Sequence, residues 1–341
     1  MKSNHPALSV LLLGVFFAIA AAPAWPAEKE IPLWPSIEPY ESGHLKVSSI
    51  HEIYYEACGN KQGRPVFMLH GGPGSSSSPY MRRFCDPGKF HIILHDQRGA
   101  GKSTPLGEIE ENTTQHLVED IERLRRHFEL GQIILFGGSW GTTLALTYAE
   151  TYPEHVSGLI LRGVFTAAQN EIDYFYHGGA AAFFPDAYDK LLAALPDPSR
   201  RPLPAYLFEL IQSSKGQERN KYCKAWAKYE IKMAALEISD EWIDRHFEEN
   251  DPYVFALFEN YYMANNCFLP GDQLLNNTGR IQHIPTVIVN GRYDAVCPLK
   301  NAYTLHRKLP NSTLIIAESA GHWMGDIPVQ NALLKAVKEF E

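Results

Sequence analysis

Ile133-Ile134-Leu135-Phe136-Gly137-Gly138-Ser139-Trp140-Gly141-Thr142-Thr143-Leu144-Ala145-Leu146 decides how the rest of this chain is read. An apolar run of strand length enters a G-x-S-x-G turn, and Thr142-Thr143-Leu144-Ala145-Leu146 follows at once. The order predicts a strand, a sharp turn and a helix, with Ser139 at the bend. The glycines are needed because such a turn crowds the backbone around the serine and forces it into a strained conformation. By itself the pentapeptide also fits a glycine-rich turn with a bystander serine. Flanked by these elements, Ser139 becomes a candidate nucleophile.

A serine that attacks a carbonyl needs donors for the developing oxyanion, and the backbone N–H of Trp140 supplies one. The second is expected from His70-Gly71-Gly72-Pro73-Gly74, which follows the apolar run Val66 to Leu69. Gly72 is the candidate donor and Gly71 the alternative; the bland reading of the loop is a tight turn. An acid and a histidine should follow the serine in that order, each beyond a later strand. Val287 to Val289 leads to Asp294, and Leu314 to Ala317 leads to His322. Asp326 and Asp272 are less well placed acids, and His306 belongs to a helical stretch. The expected chemistry has His322 taking the Ser139 proton, Asp294 holding the imidazole, and water releasing the acyl group. No Cys-x-x-Cys spacing suggests a structural zinc site.

Outward from the elbow, strands are expected at Val66 to Leu69, Ile92 to Leu94, Ile133 to Phe136, Leu159 to Leu161, Val287 to Val289 and Leu314 to Ala317. Helical patterns alternate with them. Thr114 to Phe128 carries Leu117, Ile121, Leu124 and Phe128 on one face. Residues 30 to 64 should add antiparallel edge strands, for instance Ser48 to Tyr55. After Phe165 the alternation stops and resumes near Ile284, so 166–283 reads as a helical cap over a core made of 28–165 and 284–341. The fold class is α/β, an α/β-hydrolase fold with a mostly parallel central sheet and a helical cap inserted between strands.

The chain has 341 residues, 45% of them apolar, and a formal charge of -8, which gives no basic footprint for nucleic acid. Lys2, the apolar run Ala7 to Ala22 and the small residues Ala22-Pro23-Ala24 read as a signal peptide over 1–24. That run is short of a bilayer span, so the expectation is export to the periplasm or medium without stable membrane insertion. Five cysteines, Cys58, Cys85, Cys223, Cys267 and Cys297, follow; their odd number leaves at least one outside any intramolecular pair. Gly99-Ala100-Gly101-Lys102-Ser103 ends like a phosphate-binding loop, but Asp96 occupies the place of its first glycine, which argues against nucleotide binding. Asn112-Thr113-Thr114 reads as a helix start with a side-chain oxygen capping a free N–H, and Asn276-Asn277-Thr278 as a loop.

Over residues 33 to 341 the chain resembles the proline iminopeptidases, serine exopeptidases of the α/β-hydrolase fold. The likeness rests on His70 to Gly74, Asp96-Gln97-Arg98-Gly99-Ala100-Gly101-Lys102-Ser103, Asn112-Thr113-Thr114 with Leu117 to Glu122, and Gly137 to Gly141. Arg162-Gly163-Val164-Phe165 and Gly291-Arg292-Tyr293-Asp294-Ala295-Val296-Cys297-Pro298 complete it. The resemblance implies release of proline from short peptides with a free N-terminal proline, without cofactor. It implies that Glu230 and Glu259 grip the substrate amine and that Phe165 lines the proline pocket. Tyr229, Met263 and Ser75 to Ser78 depart from the tryptophan, phenylalanine and glycines of the family pattern, and so does the signal peptide. Cys223 and Cys267 flank the two glutamates in sequence and form a candidate disulfide. The alternatives are a broader aminopeptidase, amidase or esterase with the same triad, and a non-catalytic ligand receptor on the same scaffold. The sequence leaves the oligomeric state open.

Overall fold

A computed structural model describes residues 28–341; the segment read as a signal peptide lies outside the described residues. Among the described residues the strands are β1 (Glu41–Lys46), β2 (Glu52–Gly59), β3 (Arg64–Leu69), β4 (Phe90–His95), β5 (Ile133–Gly138), β6 (Val156–Arg162), β7 (Thr286–Gly291) and β8 (Ser312–Ala317). The helices are α1 (Thr114–His127), α2 (Trp140–Thr151), α3 (Gln169–Tyr176), α4 (Pro185–Ala193), α5 (Leu203–Ser213) and α6 (Gly216–Ala234). They continue as α7 (Asp240–Glu249), α8 (Tyr253–Ala264), α9 (Gln273–Asn276), α10 (Leu299–Lys308) and α11 (Ile327–Lys338).

The strands form one sheet in the order β1-β2-β4-β3-β5-β6-β7-β8. β1, β2 and β4 pair antiparallel and every other neighbour pair is parallel. Alternate side chains feed opposite layers, as the period of a pleated strand requires. Val66, Met68, Ile92, Leu94, Ile134, Phe136, Val287 and Val289 pack with α11 through Val329, Leu333 and Val337. Phe67, Ile93, Leu135, Leu159 and Ile288 pack on the other face with α1, α2 and α10. Both faces are covered, which explains why the parallel strands read as continuous apolar runs.

Two features position the site. The chain runs from β3 to β4 on one side and returns to β5 on the other, so β3 and β5 are neighbours with Leu69 opposite Gly137. At this switch point the loops leaving the two carboxyl ends are thrown together. Helices α3 to α9 are inserted between β6 and β7 and form the cap. The cap is tied down by the Tyr262 hydroxyl, which donates to Asn112 Oδ1 at 2.7 Å, and by Gln115 Nε2, which donates to the Phe268 carbonyl at 2.7 Å. Gly74 and Gly99 let α8 approach, because a Cβ on either would lie within 3 Å of Phe258.

Two local expectations need correction. The strand placed at Ser48 to Tyr55 begins only at Glu52, because the Ser48 hydroxyl accepts the N–H groups of Ile50 and His51, both at 3.1 Å, and closes a turn. Thr113 is the residue before α1, but its hydroxyl bonds His116 Nδ1 at 2.9 Å and caps no backbone N–H. Asn112 is spent elsewhere, its Nδ2 donating to the carbonyls of Arg98 and Glu108, both at 3.0 Å.

Candidate active site

Ser139 sits between β5 and α2 with φ 56° and ψ −126°, a left-handed conformation that costs a non-glycine residue energy. The surrounding packing holds it there. A Cβ on Gly137 would collide with the Gly141 carbonyl, and one on Gly141 with that of Leu69. The Ser139 N–H donates to the Arg162 carbonyl at 2.8 Å, which fixes the elbow to β6.

Asp294 follows β7 and His322 follows β8. Their side chains meet, with His322 Nδ1 2.7 Å from Asp294 Oδ2, and the contact is buried. Asp294 Oδ1 accepts the backbone N–H groups of Val296 and Cys297, at 3.0 and 2.7 Å, so the carboxylate is held in one orientation. Of the competing acids, Asp326 accepts the Gly321 N–H at 2.8 Å, and Asp272 lies at the start of α9. His322 Nε2 is turned to Arg162 Nη1, 3.1 Å away, rather than hydrogen-bonded to Ser139.

Trp140 is the first residue of α2, so its N–H points free at the helix start. Gly72 lines the same cavity as Ser139, with φ +104°, and Gly71 packs closely enough that a Cβ there would lie 3.3 Å from Ser139 Cβ. The segment from Asp96 to Ser103 holds this loop in place. Asp96 Oδ1 accepts the Ser77 N–H and hydroxyl, both at 2.7 Å, and its Oδ2 accepts the Lys102 N–H at 2.8 Å. Gln97 joins Trp140 Nε1, at 2.9 Å, to the His70 carbonyl, at 2.9 Å. Arg98 forms a bidentate pair with Asp120 at 2.6 and 2.8 Å. The phosphate-loop look of this segment is accounted for by these packing contacts.

One cavity is lined by Gly72, Ser139, Phe165, Glu171, Glu230 and Glu259, so the cap glutamates from α6 and α8 face the nucleophile. Trp226 Nε1 donates to Glu259 Oε2 at 2.6 Å. Both glutamates line this cavity, and the charge of one acts on the other. Burial, then the charge of Glu259, pushes Glu230 far above the usual carboxyl range; burial also raises Glu259. Glu230 Oε2 and the Tyr176 hydroxyl are buried in this cavity without a hydrogen-bond partner among the described residues. Phe165 is held by the threonines after the elbow: its N–H donates to Thr142 Oγ1 at 3.0 Å and its carbonyl accepts Thr143 Oγ1 at 2.8 Å. A roomier cavity of about 520 Å³ opens between α4, α6 and α7, but it contains none of these groups, so size does not mark the site.

Residues 64–326 match the α/β hydrolase fold family. The sequence is 43% identical over 309 residues to a proline iminopeptidase of Xylella fastidiosa, covering 90% of this chain and 99% of that one. It is 45% identical over 293 residues to the Arabidopsis thaliana proline iminopeptidase, covering 85% and 77%. The chain belongs to the proline iminopeptidase family of α/β hydrolases. Solved structures add the fold. An esterase from Exiguobacterium antarcticum matches with TM-score 0.59 and 21% identity over 85% of this chain and 95% of the other. A proline iminopeptidase-related protein from Thermus thermophilus matches with TM-score 0.58 and 21% identity, covering 88% and 96%.

The departures from the family pattern have visible consequences. Tyr229 is buried and its hydroxyl donates to the Phe175 carbonyl at 3.1 Å, a bond that an indole there would have to replace. Met263 lines the cavity and brings a flexible thioether where the family pattern has a flat ring. Ser77 ties the oxyanion loop to Asp96, a contact glycine could make only through its N–H. The candidate Cys223–Cys267 disulfide is not formed: all five cysteines are unpaired, each enclosed in its own packing, with Cys267 Sγ against Met263 Sδ at 3.7 Å. Two groups in the site escaped the sequence reading. Glu171 lines the cavity, accepts the Thr166 N–H and hydroxyl, both at 2.7 Å, and is pushed up to about 7 by burial. Arg162 belongs to the Arg162-Gly163-Val164-Phe165 motif, and its Nη1 reaches His322 Nε2 at 3.1 Å only once the chain is folded.

Proposed function

We propose that the protein is a serine exopeptidase that releases N-terminal proline from short peptides through an acyl-enzyme. The buried carboxyl pair carries this reading. Glu230 and Glu259 face the cavity of Ser139, burial raises both, and Oε2 of Glu230 is left without a partner among the described residues. A protonated secondary amine supplies both what the pair lacks, a positive charge and donors. An acetylated amine supplies neither charge nor donors, and it would leave a buried anion unpaired, which costs roughly 1–3 kcal/mol or more. Phe165 gives the pyrrolidine ring an apolar wall.

With the amine held, the proline carbonyl lies at Ser139. Ser139 Oγ forms a bond to the carbonyl carbon as its proton passes to His322 Nε2, and Asp294 stabilises the imidazolium through Nδ1. The N–H groups of Trp140 and Gly72 receive the oxyanion, each worth about 3–4 kcal/mol by analogy with measured cases. His322 returns its proton to the leaving nitrogen as the C–N bond breaks, and water reverses the sequence on the ester. The cap closes the pocket behind the amine, so the enzyme acts at the chain end.

Amino-acid analysis of digests tests this reading. Pro-Ala-Ala should release proline and leave Ala-Ala, while Ala-Pro-Ala should stay intact; internal cleavage or release of alanine from both would overturn it. Export is part of the proposal, resting on Lys2 and the apolar run Ala7 to Ala22. N-terminal sequencing of the expressed full chain should find a start after Ala24 in the exported fraction; retention in the cytoplasm with Lys2 present would refute it.

A further inference from the structure

Arg162 ends β6 between the elbow and the histidine loop. Its carbonyl accepts the Ser139 N–H at 2.8 Å. Its Nη1 donates to the His322 carbonyl at 2.9 Å and to His322 Nε2 at 3.1 Å. Its Nε is buried without a partner, and a Cβ on Gly138 would strike the guanidinium. Arg82 and Arg98 are paired to carboxylates at 2.5 and 2.6 Å, whereas Arg162 has no carboxylate within ion-pair distance among the described residues. A guanidinium that spends its donors on an imidazole and a carbonyl is unusual, because charge-assisted bonds to carboxylates are stronger.

We infer that Arg162 is a positioning residue of the catalytic pair: it anchors Ser139 and His322 together, keeps Nε2 bare between turnovers, and by its charge drives the proton on Nε2 to the leaving group. The inference rests on the reading that Ser139 and His322 are that pair. Arginine has donors and no acceptor, so its bond to Nε2 requires an unprotonated nitrogen and places the ring proton on Nδ1, toward Asp294. During attack the imidazole exchanges Arg162 for Ser139 Oγ and takes the proton as the Oγ–C bond forms. The Nε2–H then faces a cation that cannot accept it. Transfer to the leaving nitrogen, as the C–N bond breaks, removes the repulsion and restores the resting bond. The other charged groups acting on the ring are Asp294, 2.7 Å from Nδ1, and Asp326; the cap backbone contributes the Ala234 carbonyl, which accepts the His322 backbone N–H at 3.0 Å.

The test is the rate of phosphonylation of Ser139 by a fluorophosphonate against pH, for the full chain and for Arg162→Gln and Arg162→Lys. This probe needs His322 as base and does not use the amine pocket. The acid limb should move up by about one pH unit in the glutamine variant and stay near the wild-type position in the lysine variant. Hydrolysis of proline β-naphthylamide should also slow at least about tenfold more than that of proline p-nitrophenyl ester in Arg162→Gln, because p-nitrophenolate leaves without a proton. An unmoved limb, or equal slowing of amide and ester, would overturn the inference. Wild-type protein that takes no label would overturn the catalytic reading and the inference with it. Should Arg162→Gln fail to fold, ¹⁵N spectra of wild-type His322 decide: a proton on Nδ1 with Nε2 bare supports the inference, and a proton on Nε2 overturns it.

Discussion

Glu259 is the residue at which charge meets the proposed grip on the substrate amine. Buried beside Glu230, it is raised to about 7, so its negative charge is present above that pH and lost as the pH falls through it. The kcat/KM for free-amine proline substrates should therefore fall below about pH 7 with a limb that an N-blocked ester, which engages only the triad, does not show. Glu259→Gln should abolish that limb and lower kcat/KM roughly thirtyfold, about 2 kcal/mol, mainly through KM. Equal acid limbs for both substrates would remove the glutamate from amine binding. At this scale Ser139, Asp294 and His322 were legible because each stands just beyond an apolar run. Glu171 and Arg162 were not, because their roles depend on partners brought in by folding: Thr166 across a turn, and His322 from 160 residues away.

Elements were legible in proportion to how local their causes are. Most strands of the parallel sheet are buried on both faces and announce themselves as apolar runs, with ends extended by one to three residues once the ladder forms. The second strand was misplaced because a serine turn, not hydrophobicity, sets where it starts. The segment from Asp96 to Ser103 shows a motif whose constraint is structural. Its Arg98–Asp120 pair is buried, with side-chain exposures of 1% and 2%, and joins the loop under the cap to α1. Arg98→Met should destabilise the protein by about 3 kcal/mol, toward the lower end for a broken buried pair because Arg123 also reaches Asp120, at 2.9 Å. The urea midpoint measures this; a loss under about 1 kcal/mol would show that the pair is not needed.

Across the whole molecule, the sheet supplies rigidity and the inserted helices carry Glu230 and Glu259, with Gly72 and Ser139 on loops at the switch point between β3 and β5 and Asp294 and His322 beyond β7 and β8. The five cysteines bear on where such a molecule can work. Each is buried and unpaired, and burial pushes the Cys58 thiol up to about 11 and the Cys223 thiol up to about 12, which keeps them unreactive. Protein unfolded without reductant should titrate five thiols, even after passage through an oxidising compartment, and the folded protein should react slowly. Three thiols would mean that a disulfide forms. The sequence could not decide this, because pairing depends on which sulfurs the fold brings together.

The central claim is a Ser139-dependent exopeptidase selective for a free N-terminal proline. Hydrolysis of proline-, alanine- and N-acetylproline-linked β-naphthylamides by the purified protein, beside Ser139→Ala, tests it most directly. The account predicts strong preference for the free proline substrate, at least about tenfold over either other, and no turnover by the variant. Equal or faster hydrolysis of the alanine or acetylated substrate, or activity surviving in Ser139→Ala, would contradict it.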